Sequence, residues 1–138
     1  MPTVRSKSFK EKDFQTLFTR WMREYGKNIG TVACELKITK LPSIAFTRLE
    51  EHQLVALLHA KRDCVYHKIS DQSMGYKPFD NFQICGGQAY VVVFFVRGAA
   101  AREMVFIDVE DWEKERATCG RKSITEARAK EIGKVYQL

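Results

Sequence analysis

Residues 32–40 read VACELKITK, and the fold turns on how this stretch is read. Side chains alternate between the two faces of a strand with period two. A strand over Thr31–Thr39 therefore puts Val32, Cys34, Leu36 and Ile38 on one wholly apolar face. Glu35 and Lys37 share the other face. The apolar row belongs in a core, so the opposite side must be explained by what an acid and a base two residues apart can do.

Working outward, residues 9–25 carry Phe14, Leu17, Phe18, Trp21 and Met22 at helical spacing, and Gly26 ends that helix. After the strand, Pro42 breaks the chain, and Phe46–Arg62 is a second helix of strong formers. CVYHKIS, from Cys64, is a short strand, and DQSMGYKP is a loop punctuated by Gly75 and Pro78. FDNFQIC, then Gly86-Gly87, then QAYVVVFFV reads as a hairpin, because a glycine pair suits a two-residue turn. The apolar run Tyr90–Val96 is the pattern of a central strand covered on both faces. EMVFIDV, from Glu103, is a further strand, and EDWEKE opens a short helix. Ser123-Ile124-Thr125-Glu126 reads as a capping box before a last helix reaching Tyr136. The order α-β-α-β-β-β-β-α predicts an α/β fold with a mixed central sheet flanked by helices.

The 138 residues are enough for one domain with a sizeable core, and residues 1–8 read as a flexible basic arm. No apolar run has the length of a membrane span, and the basic start has no apolar signal core. The four cysteines, Cys34, Cys64, Cys85 and Cys119, show no Cys-x-x-Cys and no zinc-finger spacing with His52, His59 or His67. They read as reduced packing thiols of a cytoplasmic protein. The net charge of +6 is uneven: residues 1–30 and 114–138 each hold seven Lys/Arg against three acids, and 31–113 hold nine against eleven. Basic ends suit a polyanion and an acidic centre suits a metal, although a pI near 9.2 is also common for well-solvated termini. Arg5, Lys7, Lys10, Arg116, Arg121 and Lys122 are the expected nucleic-acid contacts.

Asp/Glu-x-Lys occurs once in the chain, at Glu35-Leu36-Lys37. Together with Ser43–Phe46 (SIAF), His52-Gln53 and the apolar Tyr90–Phe95 strand, it resembles the PD-(D/E)XK nuclease superfamily. The nearest likeness is to the recombination protein U type of Holliday junction resolvase, over roughly residues 30–96. The resemblance implies a restriction-endonuclease-like fold and a metal-dependent DNA endonuclease acting on branched DNA as a homodimer. It implies Glu35 and the Leu36 carbonyl as metal ligands and Lys37 as the catalytic cation. Gln53 shares a helical stripe with Leu49, Ala56 and Ala60, which suits a face packed on the sheet with the amide near its active edge, or a core Gln bonded to backbone. Phosphodiester hydrolysis fits such a set. A metal polarises the phosphate and acidifies a water, magnesium (or manganese) takes oxygen ligands, and a lysine stabilises developing charge.

The chain departs from the family pattern at the second carboxylate. No Asp lies between Phe14 and Cys34, where the family's acid precedes Glu-x-Lys. KPFD resembles the family's Pro-Asp signature with one residue inserted, so Asp80 becomes the expected catalytic and metal-binding acid. That places the strand from Phe79 beside Thr31–Thr39. Asp71 is a second candidate for the same role, although Asp-x-Ser before a glycine is ordinary turn chemistry. Two readings compete with the nuclease. One is a non-catalytic nucleic-acid-binding protein using its basic ends; the other is an interaction domain in which Glu35–Lys37 is a surface pair.

Overall fold

The computed structural model describes residues 8–69, 79–97 and 102–138. In chain order the elements are α1 (Glu11–Tyr25), β1 (Val32–Thr39), β2 (Ser43–Ala45), α2 (Glu51–Arg62), β3 (Cys64–Lys68), β4 (Asn81–Cys85), β5 (Gln88–Phe95), β6 (Glu103–Asp108), α3 (Val109–Thr118), β7 (Ser123–Thr125), α4 (Glu126–Ile132) and β8 (Lys134–Gln137). A four-stranded sheet runs in the order β1-β5-β6-β8. β1 and β5 are parallel, whereas β5–β6 and β6–β8 are antiparallel, so the central sheet is mixed as predicted.

The alternation of β5 divides the core in two. Val91, Val93 and Phe95 face α2, α3 and α4, in a cluster with Leu54, Leu57, Trp112 and Ala129. Val92 and Phe94 face α1, in a cluster with Phe14, Phe18 and Trp21. Those three aromatics recur at helical spacing, and their burial is what fixes α1 against the sheet. Val91, Val92 and Val93 are fully buried, as a strand covered on both faces requires. None of the described helices is long and apolar enough to cross a membrane.

Four expectations are corrected. Residues 79–96 do not form a hairpin, because β4 pairs antiparallel with β3 and not with β5. Gly86, at φ 57°, and Gly87 turn the chain from that ribbon into the main sheet, their N–H groups donating to Asp63 O and Ala60 O. The same pairing means that the strand after Phe79 does not run beside β1: Asn81–Cys85 belongs to a separate two-stranded sheet. Cys64 and Cys85 face each other across that ribbon and form a disulfide, leaving Cys34 and Cys119 as the free thiols. Their spacing of 21 gives no sign of this in sequence. Last, Ser123–Thr125 is a strand paired with β2, and Thr125 is the N-cap, accepting from Arg128 N–H at 3.2 Å. The helix then stops at Ile132, and residues 134–137 become the edge strand β8. Gly133 makes that stop possible, since a Cβ there would lie 2.7 Å from Phe106 O and 2.8 Å from Ala129 O.

The disulfide closes a loop of about twenty residues, a constraint on the unfolded chain worth about 3 kcal/mol. Urea denaturation with and without reductant is expected to show a loss of about that size. A midpoint unmoved by reductant and by Cys64→Ser/Cys85→Ser would show that the crosslink contributes nothing.

Candidate functional site

Cys34, Leu36 and Ile38 pack into the α1-side cluster, and Ala33 packs into the other. By strand alternation Glu35 and Lys37 therefore face α2. They stand beside β5 at Val91 and Val93, which are fully buried. Lys37 is only 8% exposed. Its ammonium lies 3.1 Å from Glu35 Oε1. The pair is thus not the solvated strand face that its spacing alone allows.

α2 supplies the third member. Gln53 Nε2 donates to Glu35 Oε1 at 2.8 Å, and Gln53 Oε1 accepts from the Glu50 backbone N–H at 3.0 Å. The amide is therefore fixed at both ends, as the N3 half of the helix's capping box. One carboxylate oxygen, Oε1, takes both donors. Among the described residues, nothing bonds to Glu35 Oε2. Glu35 and Gln53 line a cavity of about 260 Å³, walled by Ala56 and Ala60 of α2, Ala33 and Cys34 of β1, and Val65 and Ile84 of the ribbon. The ribbon's part in this wall was not foreseen. Its signal is the cross-strand pair Val65–Ile84, the inward half of an alternating pattern in CVYHK and NFQIC.

The backbone of β1 adds one further oxygen. Thr39 O accepts from Val96 N–H, on the β5 side. Ile38 O points the other way and accepts from Arg48 Nη2 at 3.0 Å. Carbonyl directions alternate along a strand, so Leu36 O shares the free edge with Ile38 O. Arg48 itself was not anticipated, because it sits in a 3-10 turn over Phe46–Arg48 that the sequence reading merged into α2.

The other expected residues fall as follows. Asp80 is exposed and lies just ahead of β4, with its carbonyl accepting from Ile69 N–H at 2.7 Å. Asp71 lies outside the described residues, as do Arg5 and Lys7. Lys10 caps α1, its N–H donating to Asp13 Oδ2 at 2.8 Å. Arg116, Arg121 and Lys122 are brought together on one wall of a groove, away from Lys10. His52, next to Gln53, is exposed and paired with Glu50 at 3.3 Å.

The donors test a divalent ion as follows. Glu35 Oε2 and Leu36 O are hard oxygens suited to magnesium, and Glu35 Oε1 is committed to Lys37 and Gln53. Among the described residues, no group of three or more His, Cys, Asp or Glu is gathered so as to hold a metal. The cluster thus provides part of an oxygen shell, and a second carboxylate has to join it. Comparison with family models, with curated proteins and with solved structures finds no match to this chain.

Cys34 backs the site from within the strand, and burial pushes its thiol up to about 12. At pH near 8 it stays protonated and is a poor nucleophile. Alkylation of the native protein with iodoacetamide, read by mass spectrometry, is expected to spare Cys34 until denaturant is added. Modification of native Cys34 at the rate of a free thiol would contradict this burial.

Proposed function

We propose that the protein is a metal-dependent endonuclease of the restriction-endonuclease-like class, hydrolysing DNA phosphodiester bonds at Glu35, Lys37 and Gln53, and preferring branched substrates. The observation that carries the reading is the buried Lys37 ammonium held at Glu35 Oε1 while Glu35 Oε2 is left unbonded in a cleft. A lysine confined this way is a fixed positive charge, not a mobile surface one. The parallel β1–β5 pair and the helix that crosses between them suit the class, as does the acid–lysine strand at the sheet's edge.

A divalent ion would be held by Glu35 Oε2, the Leu36 carbonyl and a second carboxylate. The sequence offers Asp80 and Asp71 as sources; on the ribbon it is Ile84, four residues beyond Asp80, that lines the cleft, so the Asp80 carboxylate is not gathered with Glu35 in this structure. Bound there, the ion supplies Lewis acidity and lowers the pKa of a water. The chain's own residues do the rest. Lys37 sets a positive charge toward the phosphate, where negative charge grows as the fifth bond to phosphorus forms. Glu35 holds Lys37 in place, and its free oxygen fixes the ion's position. Gln53 is a positioning residue: it touches Glu35 and orients the carboxylate, so that Oε2 faces the cleft. The apolar side chains of Ala56, Val65 and Ile84 line one side of the cleft and lower the local dielectric, which strengthens each of these interactions. A homodimer would present two such clefts, one for each strand that a junction resolvase must cut.

Glu35→Gln keeps the shape and removes the charge. Incubated with branched or duplex DNA and magnesium, this variant is expected to lose at least about a hundredfold in cleavage rate, more than is typical of changes to residues behind a ligand. Its unfolding midpoint should fall, because Lys37 loses its anion, so the rate is measured at a temperature where circular dichroism shows the variant folded. Metal-dependent cleavage at an unaltered rate would remove Glu35 from the site. Absence of cleavage by the unaltered protein, on branched, duplex and single-stranded DNA alike, would overturn the nuclease reading.

A further inference from the structure

A groove of about 710 Å³ lies beside the cleft at Glu35. One wall is the turn into α2, with Thr47, Glu50 and Glu51; the other carries Arg116, Arg121 and Lys122. Backbone bonds hold the two walls together. β2 pairs with β7, and Phe46 N–H donates to Lys122 O at 3.0 Å. Below them Ile44 and Ile124 are 2% exposed, and Phe46 packs edge-on against the fully buried Trp112. The backbone at Arg121 and Lys122 is therefore set relative to α2 by main chain and core, so that binding costs side-chain freedom only.

The charges in the groove are unequal in their commitments. Glu50 accepts the backbone N–H at the third position of α2, and Glu51 lies 3.7 Å from Arg116. The side chains of Arg121 and Lys122 are exposed, and neither makes a hydrogen bond or ion pair among the described residues. Two unpaired cations on a rigid wall, opposite acids that are already bonded, favour an anion with more than one charge. The groove also joins the site. Glu50 lines it, its N–H donates to Gln53 Oε1, and Gln53 Nε2 donates to Glu35 Oε1. A single amide separates the two.

We propose that this groove is a second phosphate subsite, in which Arg121 and Lys122 hold the DNA backbone flanking the phosphate at Glu35. The substrate is then a polynucleotide running from the cleft past the start of α2, and not a mononucleotide ester. The proposal rests on Glu35 marking the reacting phosphate, and it adds where the rest of the strand lies.

The test is binding, read by fluorescence anisotropy of a labelled duplex of about 20 base pairs in chelator, with salt varied from about 50 to 200 mM. Arg121→Gln/Lys122→Gln is compared with Arg20→Gln/Arg23→Gln, which removes the same charge from exposed arginines on α1, on the opposite face of the sheet. The groove variant is expected to bind at least about tenfold more weakly at the lowest salt. Its log–log salt slope should be shallower by about 1.8, the value for two lost phosphate contacts. The α1 variant should keep the slope of the unaltered protein. Equal losses from both variants, no loss from the groove variant, or no binding by the unaltered protein would each overturn the proposal. Because chelator stops metal-dependent turnover, the result is independent of the nuclease reading. An unchanged groove variant with intact magnesium-dependent cleavage sinks the groove alone. The expected binding loss with no cleavage under any condition sinks the nuclease reading and leaves the groove a DNA-backbone site with no reacting phosphate beside it.

Discussion

An ammonium group that is taken out of water needs an anion within reach, and Lys37, 8% exposed on the α2 face of β1, is such a group. Left alone, a charge there would cost several kcal/mol. The strand's own period provides the partner, because Glu35 is the nearest residue on that face. The pairing of β1 with β5 then decides what surrounds the two. It sets them against Val91 and Val93 on one side and leaves them at the edge of the sheet on the other. A pair deeper in the sheet would be sealed, and one on a surface loop would be fully solvated. At the edge, under α2, it is desolvated enough to matter and open enough to be reached.

Stability alone gives a weak reason for this arrangement. Well-packed apolar residues of similar volume commonly serve as well as a buried ion pair or better. The surrounding structure also works to orient the carboxylate and does more than neutralise the lysine. Gln53 is held by the backbone at one end and bonds to Glu35 at the other, and both donors converge on Oε1. Such convergence leaves Oε2 free, in a cavity walled by the ribbon that Cys64–Cys85 ties at its base. A polar cluster that turns one carboxylate oxygen toward an open cavity suits a ligand better than it suits a core.

The main sheet was legible because its signals are local. The alternation of 32–39 and the run of valines in β5 define the two strands from their own residues, as the spacing of Phe14, Phe18 and Trp21 defines α1. Gln53 was legible for the same reason, as a polar residue on the apolar stripe of a helix. What failed was pairing. Gly86-Gly87 has the composition of a hairpin turn, yet β4 had already found β3, and the glycines instead turn the chain beneath the end of α2. No residue near Cys64 announces Cys85, because the crosslink depends on two strands meeting across residues 69–80. Ser123 and Thr125 both fit an N-cap, and only the pairing of 123–125 with β2 makes Thr125 the cap. The groove was visible as a set of charges, whereas its shape needed that same β2–β7 pairing. Placing Asp80 on a strand beside β1 was the costliest error, since it assumed a partner strand that the free edge of β1 does not have among the described residues.

The claim that the Glu35–Lys37 pair is retained for chemistry is tested most directly by the cleavage rate of Glu35→Leu/Lys37→Met, with magnesium and branched DNA, on protein whose unfolding free energy is measured on the same sample. The account predicts stability within about 1 kcal/mol of the unaltered protein, or higher, with cleavage abolished. Retained metal-dependent cleavage would contradict it, and so would a destabilisation of about 3–5 kcal/mol, which would make the pair a structural necessity of the strand.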